Sequence, residues 1–321
     1  MNEHGDIDLA GAMVCDIETG VCGPADAGAA GQTLQTVTAA GKVDVYYVTD
    51  PICSHCWALE PVLKRFEHEY ARHVDVRVVM GGLLPAWRGF ADKANGIGGP
   101  ADVAGHWRQV GRATRMPIDG SVWLRDPLAS SYPPSRVYVV LREQDPELAR
   151  AFLRRAREAV FAFDRNVADP AVLAAIVDGL GRDGSAVVAE AEGERGRALL
   201  DADLAFAREL GVRGFPTLVF VAADGRSVAV VGARGVDAYV SALRSLLGED
   251  ALLLPRERLP LRELLAREGR LFARELEVYY DVAPGRLDGF VASQLEAGSY
   301  RSASVLGETM LALPDLASAP A

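Results

Sequence analysis

Cysteine is scarce in this chain, with four in 321 residues. That is too few for the bridge-dense scaffolds on which small secreted domains depend. Long apolar runs are missing as well. No segment reaches the roughly 18 to 20 apolar residues of a bilayer span. The opening MNEHGDIDLAGAMVCDIETG has no basic region followed by an apolar one, so no secretory leader is expected. The expected location is cytoplasmic. Basic residues are outnumbered, 34 Lys and Arg against 44 Asp and Glu, for a formal charge of -10. Non-specific binding to nucleic acid or acidic lipid needs concentrated positive charge, so neither nucleic acid nor a membrane is an expected partner. Histidine is thin too: His4, His55, His68, His73 and His106 form no ligand ladder.

What is present is a hydrophobic content of 50%, enough for a substantial core, and a length at which two domains are the default. Residues 1–41, rich in Gly, Ala, Thr and Asp, read as an irregular arm that carries Cys15 and Cys22. Val43 to Val48 is a β-branched and aromatic run of strand length, closed by Asp50 and Pro51. From Cys53 the spacing of Trp57, Leu59, Leu63, Phe66 and Tyr70 fits one face of a helix, with Pro61 expected to kink it. Val74 to Met80 reads as a second strand, ended by Gly81 and Gly82. Strand, helix, strand of this length is a parallel unit with a right-handed crossover.

A loop at Asn95 to Pro100 opens about a hundred mostly helical residues, with helices expected over Ala101–Arg112, Pro134–Leu141, Glu147–Ala162, Pro170–Gly179 and Glu190–Leu210. Strand signals return at Thr217–Val221 and Val228–Val231, joined by a turn with Asp224 and Gly225 as in an antiparallel hairpin. Val236–Leu247 is a closing amphipathic helix. The chain thus reads as a β/α unit, a helical insertion, and a hairpin with a helix completing the same sheet. The expected boundaries are 1–41 for the arm, 42–94 with 211–248 for the sheet domain, 95–210 for the insertion and 249–321 for a carboxyl-terminal extension. In that extension a helix near Phe272–Tyr279, a turn at Asp281–Gly285 and a second helix, Leu287–Leu295, are expected. Such a helix pair can belong to a winged helix or to a helical appendage packed on the core.

The chemistry concentrates in Cys53-Ser54-His55-Cys56. Structural zinc needs four ligands, often two such pairs, and no second close pair exists. A redox pair needs less: a thiol at a helix start faces unpaired backbone N–H groups and the positive end of the helix dipole, which favour the thiolate. Cys53 is the expected nucleophile and the more exposed, more acidic sulfur. Cys56, one turn on, is expected to resolve the mixed disulfide. Ser54 and His55 lie between them, and His55 could add positive charge or a hydrogen bond. Some 160 residues later, Pro216 in VRGFPTLVF precedes a strand. Beside a thiol pair it suggests a cis peptide that exposes the backbone of Phe215 to an extended substrate segment.

These residues resemble the DsbA family of thioredoxin-fold proteins, with CSHC at its Cys-Xaa-Xaa-Cys site and GFPT at its cis-proline loop. The resemblance spans about Val43 to Gly248 and implies an α/β, thioredoxin-like fold with a helical insertion domain and a carboxyl-terminal helical extension. It implies that Cys53 attacks, Cys56 resolves, His55 is the dipeptide histidine, and Pro216, with Phe215 before it, shapes the groove. Ser54 and Trp57 complete the expected substrate-binding set. The periplasmic oxidants of the family have proline where Ser54 stands. DPICSHCWALEP, GGLLP and SSYPPSRVYVVL look more like the cytoplasmic FrnE-like oxidoreductases, or the YjbH/SpxH group of adaptors that present the regulator Spx to the ClpXP protease. The implied function is thiol-disulfide exchange on peptide or protein cysteines without a cofactor or metal. The alternative is an SpxH-like adaptor with a regulator or protease partner. Cys15 and Cys22 remain open between a redox-active or structural pair, unpaired thiols and part of a metal site. Trp87, Trp107 and His106 read as packing residues, with His106 also placed to face the cleft.

Overall fold

The computed structural model describes residues 13–16, 22–24, 42–90 and 96–314. The remaining residues of the 1–41 arm, His4 among them, and Asn95 lie outside the described residues.

The central sheet has four strands. β3 (Val43–Thr49) pairs in parallel with β4 (Val74–Met80) in unbroken register from Val43↔Val74 to Thr49↔Met80. On its other side β3 pairs antiparallel with β6 (Thr217–Val221), which pairs with β7 (Ser227–Val231) through the expected turn. The spatial order is β4-β3-β6-β7. All seven residues of β3 are buried, as a strand covered on both faces requires. α1 (Ser54–Glu69) and α9 (Val236–Leu247) flank the sheet. α1 continues through Pro61 to Glu69.

Between β4 and β6 the chain is mostly helical: α2 (Pro100–Thr114), α3 (Val122–Arg125), α4 (Tyr132–Gln144), α5 (Pro146–Arg157), α6 (Pro170–Asp178), α7 (Gly184–Glu192) and α8 (Glu194–Glu209). Two expectations need correction here. The helix expected over Glu147–Ala162 gives way after Arg157 to a π turn over Glu158–Ala162. The helix expected over Glu190–Leu210 is two helices, broken at Gly193, whose ψ of -176° is extended. Gly196 explains why the break is tolerated: a Cβ there would lie 2.2 Å from the Ala191 carbonyl oxygen. Glu192 to Arg197 carry no apolar side chain, so the break falls where the apolar spacing lapses.

Two further findings fall outside the expected pattern. The arm contributes β1 (Met13–Asp16) and β2 (Cys22–Pro24), which pair antiparallel and so are not irregular. β1 also pairs with β5 (Gly214–Phe215), the two residues before Pro216. The extension is not only helical. α10 (Leu261–Glu268), β8 (Arg270–Phe272), α11 (Ala273–Tyr280), α12 (Leu287–Gln294), β9 (Arg301–Val305) and β10 (Glu308–Ala312) follow in that order. Their strands form an antiparallel sheet of order β8-β10-β9, the arrangement of a winged helix. Its own apolar cluster includes Leu261, Leu265, Leu276, Tyr279 and Leu311. The β9–β10 hairpin escaped sequence reading because both strands are short and β9 is largely exposed, leaving only Met310 to Ala312 of β10 as an apolar mark.

A buried ionic network joins this extension to the core. Arg154 on α5 makes a fork to Glu275 on α11, at 2.8 and 2.7 Å, and reaches Glu158 at 2.8 Å. Lys64 on α1 binds Glu268 at 2.7 Å and Glu275 at 3.0 Å. Burial opposes charge on Glu275, but Arg154 and Lys64 outweigh it and hold its carboxyl at about 2. Bidentate geometry and several counter-charges are what make buried ions tolerable.

Candidate functional site

β3 ends at Thr49, and Asp50 then folds the chain back into α1. The Asp50 carboxylate accepts from the Ile52 amide at 3.0 Å, the Leu83 amide at 2.8 Å and the Ser131 hydroxyl at 2.7 Å. This buried acid fixes the loop that delivers Cys53 to the helix start. Cys53 is the N-cap of α1, and its Sγ accepts the Cys56 amide at 3.2 Å. The N-cap thiol expected from the sequence is therefore in place, one turn before Cys56.

Pro216 reaches the same end of the sheet from the opposite direction. Thr217 pairs with Val48, so the start of β6 and the start of α1 meet at one sheet end. The Phe215–Pro216 peptide bond is cis. Phe215 is fully buried and packs in one apolar cluster with Cys53 and Cys56. Gly81 makes room for it: a Cβ there would lie 2.0 Å from Phe215 Cε1. About 160 residues of chain separate these groups, and the fold brings them together.

Exposure and charge depart from expectation. Cys53 is 1% exposed and Cys56 0%, so the nucleophile position is no more open than its partner. The order of acidity is also the reverse of that expected. Burial pushes the Cys53 thiol up, and neighbouring Cys56 pushes it further. Burial opposes charge on Cys56 as well, but the hydrogen bond from Cys53 and the Arg157 guanidinium outweigh it and bring its thiol down. Burial dominates at Cys53, whereas at Cys56 the hydrogen bond from Cys53 and then the Arg157 charge both favour the thiolate.

Arg157 was not visible as a site residue. It is fully buried, donates to Thr49 Oγ1 at 2.6 Å and to the Asp50 carbonyl at 3.3 Å, and pairs with Glu60. It comes from the last turn of α5, among four arginines at Arg150, Arg154, Arg155 and Arg157. Two arginines of that group, Arg154 and Arg157, are buried, and nothing in the spacing tells which of them reaches the thiol site.

His55 does not supply positive charge. Burial and the neighbouring His106, at a ring-centroid separation of 5.6 Å, hold it at about 3, so it is neutral at physiological pH. Its Nδ1 has no hydrogen-bond partner among the described residues. Ser54 is buried beside it. Trp57, expected in the substrate-binding set, is instead a core residue. It is fully buried, its indole N–H donates to the Pro117 carbonyl at 3.0 Å, and its ring packs on Phe161, Phe272 and the Arg154 guanidinium. It points from α1 into the insertion and the extension because that is where its large apolar face is covered. Trp107 is buried against Phe161 and Trp123, and half-buried Trp87 packs edge-on to Trp123, as packing residues do.

Cys15 and Cys22 are placed only by backbone; their side chains lie outside the described residues. They are directly opposite each other across β1 and β2, and Cys15 is opposite Phe215. Among the described residues no cluster of three His, Cys, Asp or Glu side chains could hold a metal ion. No helix there is long and apolar enough to cross a membrane.

Residues 46–241 match the Thioredoxin family. The ClpXP adapter protein SpxH of Halalkalibacterium halodurans is 32% identical over 208 residues, 64% of this chain and 68% of that protein. SpxH of Shouchella clausii is 27% identical over 274 residues, 84% of this chain and 86% of that protein. Among solved structures, the cytosolic disulfide reductase DsbM of Pseudomonas aeruginosa is 25% identical with a TM-score of 0.50, covering 64% of this chain and 98% of that one.

Proposed function

Since this chain belongs to the Thioredoxin family and is related both to DsbA-like oxidoreductases and to SpxH adapters, we propose that it is an adapter of the SpxH type. In this reading it is a cytoplasmic protein that docks a regulator and presents it for ClpXP proteolysis. The observation that carries the reading is closure of the thiol site. Cys53 and Cys56 are 1% and 0% exposed, and the backbone edge at β5, which an extended substrate would use, already pairs with β1. A turnover enzyme needs its attacking sulfur and its groove open, whereas an adapter needs a folded surface. The similarity to SpxH of Shouchella clausii over 84% of this chain is in keeping with it, because that match extends beyond residues 46–241 into the arm or extension.

A second reading, dithiol–disulfide oxidoreductase, is favoured by one observation: the Cys53 sulfur caps α1 and accepts the Cys56 amide. Here Cys53 attacks a substrate disulfide and Cys56 resolves it, with Pro216 and Phe215 at the groove. Two assays on the purified protein separate the readings. Degradation of an Spx-type regulator by ClpXP should accelerate when the protein is added, and a Cys53→Ser, Cys56→Ser variant should accelerate it equally. Unchanged degradation with rapid insulin reduction would replace the adapter reading with the enzymatic one.

A further inference from the structure

An extended segment is already bound at the Phe215 edge, and it belongs to the chain itself. β5 is only two residues long and offers an unpaired backbone edge of the kind that captures extended peptides. β1 fills it in antiparallel register, with Cys15 opposite Phe215 and Asp16 opposite Gly214. Of the residues that could stand opposite Phe215, a cysteine does. Phe215 in turn packs in one cluster with Cys53 and Cys56. β2 then sets Cys22 directly opposite Cys15. Facing residues in an antiparallel pair have Cα atoms about 4.5 to 5.5 Å apart, inside the ~4.4 to 6.8 Å span a disulfide needs.

We propose that the β1–β2 hairpin is an internal substrate of the thiol site, through which the Cys15/Cys22 pair exchanges a disulfide with Cys53/Cys56. The inference rests on the second reading above, that Cys53 is competent for exchange. A low-molecular-weight disulfide such as glutathione disulfide first oxidises Cys15 and Cys22, being reduced to two glutathione thiols. The Cys53 sulfur then attacks Sγ of Cys15; the Cys15–Cys22 bond breaks and Cys22 leaves as thiolate. Cys56 attacks Sγ of Cys53, the Cys15–Cys53 bond breaks, and Cys15 leaves. Two electrons have passed from the Cys53/Cys56 dithiol to the arm. The proton shared by that dithiol goes to Cys22, and Cys15 takes its proton from water. The arm thereby reports the oxidant to the buried pair without an external protein substrate, and while docked it holds the β5 edge against one.

Two full-length variants test this: Cys22→Ser with Cys56→Ser, and Cys15→Ser with Cys56→Ser. Each keeps Cys53 and one arm cysteine. After treatment with one equivalent of glutathione disulfide, peptide mass mapping counts Cys53–arm links and Cys53–glutathione adducts. The register predicts an intramolecular Cys15–Cys53 link whose yield does not change on dilution. It should exceed the Cys22–Cys53 link about tenfold, because Cys22 lies one strand, roughly 4.8 Å, further from β5. Equal or absent links, or links only between molecules, overturn the inference. If Cys53 still takes glutathione in those samples, the exchange reading itself survives. Absence of the adduct as well as the link removes both.

Discussion

Acidification should destabilise this protein through His55 before it does so through its carboxylates. Burial beside His106 holds the imidazole at about 3, against an ordinary 6.5. Between those values the unfolded chain binds a proton that the folded chain does not, so stability falls as pH drops through 6.5 and the loss levels off below 3. At about pH 4.5 the gap is two units at ~1.36 kcal/mol each, so the loss is about 3 kcal/mol. Glu275 acts in a different window. Held at about 2 against an ordinary 4.5, it loses only about 0.4 kcal/mol by pH 4.5. The perturbation is His55→Leu, which removes the titrating ring and leaves a side chain of similar bulk. Urea unfolding, followed by tryptophan fluorescence at neutral pH and near pH 4.5, gives a stability loss for each protein. The wild type should lose about 3 kcal/mol more than the variant across that interval, whatever the variant's own stability at neutral pH. Equal losses would refute the argument, because His55 would then protonate in the folded protein as it does in the unfolded one.

Two further outcomes follow from the buried charges. Glu275→Gln should remove a contribution of about 3 kcal/mol that is present above pH 4.5 and lost as pH falls towards 2. Acid unfolding of the variant should therefore be flatter in that window, and an unchanged profile would place Glu275 outside the network. Arg157→Met removes a cation that helps lower the Cys56 thiol, so the thiolate absorbance of the pair should appear at higher pH. The same change leaves Glu60 without its partner, at a cost of about 3 kcal/mol. Arg157→Lys should restore most of the thiolate while leaving the Thr49 and Asp50 carbonyl contacts incomplete, and failure of Arg157→Met to move the titration would remove Arg157 from the site.

Local pattern in the sequence determined much of this protein. Val43–Val48, Val74–Met80 and Val236–Leu247 are legible because β-branched runs and helical spacing are properties of neighbouring residues. Cys53 at the start of α1 is legible for the same reason, since a strand, an Asp-Pro break and a helical face follow one another in sequence. Pro216 was legible as a partner of that thiol through the resemblance and the expectation that the strand after it joins the sheet of Val43–Val48, which the register bears out. What the tertiary structure alone decided is charge and burial at the site. Which of four nearby arginines reaches Thr49 and the Asp50 carbonyl beside the site depends on how α5 is packed. Whether Trp57 faces solvent or the insertion depends on what covers it, and no spacing rule states that. The order of acidity reversed for this reason: helix position is written in the sequence, but burial, the hydrogen bond between the two sulfurs and a nearby guanidinium act through space. The pairing of Cys15 with Phe215 joins residues two hundred positions apart through a two-residue edge strand, too short to leave any periodic trace in the chain.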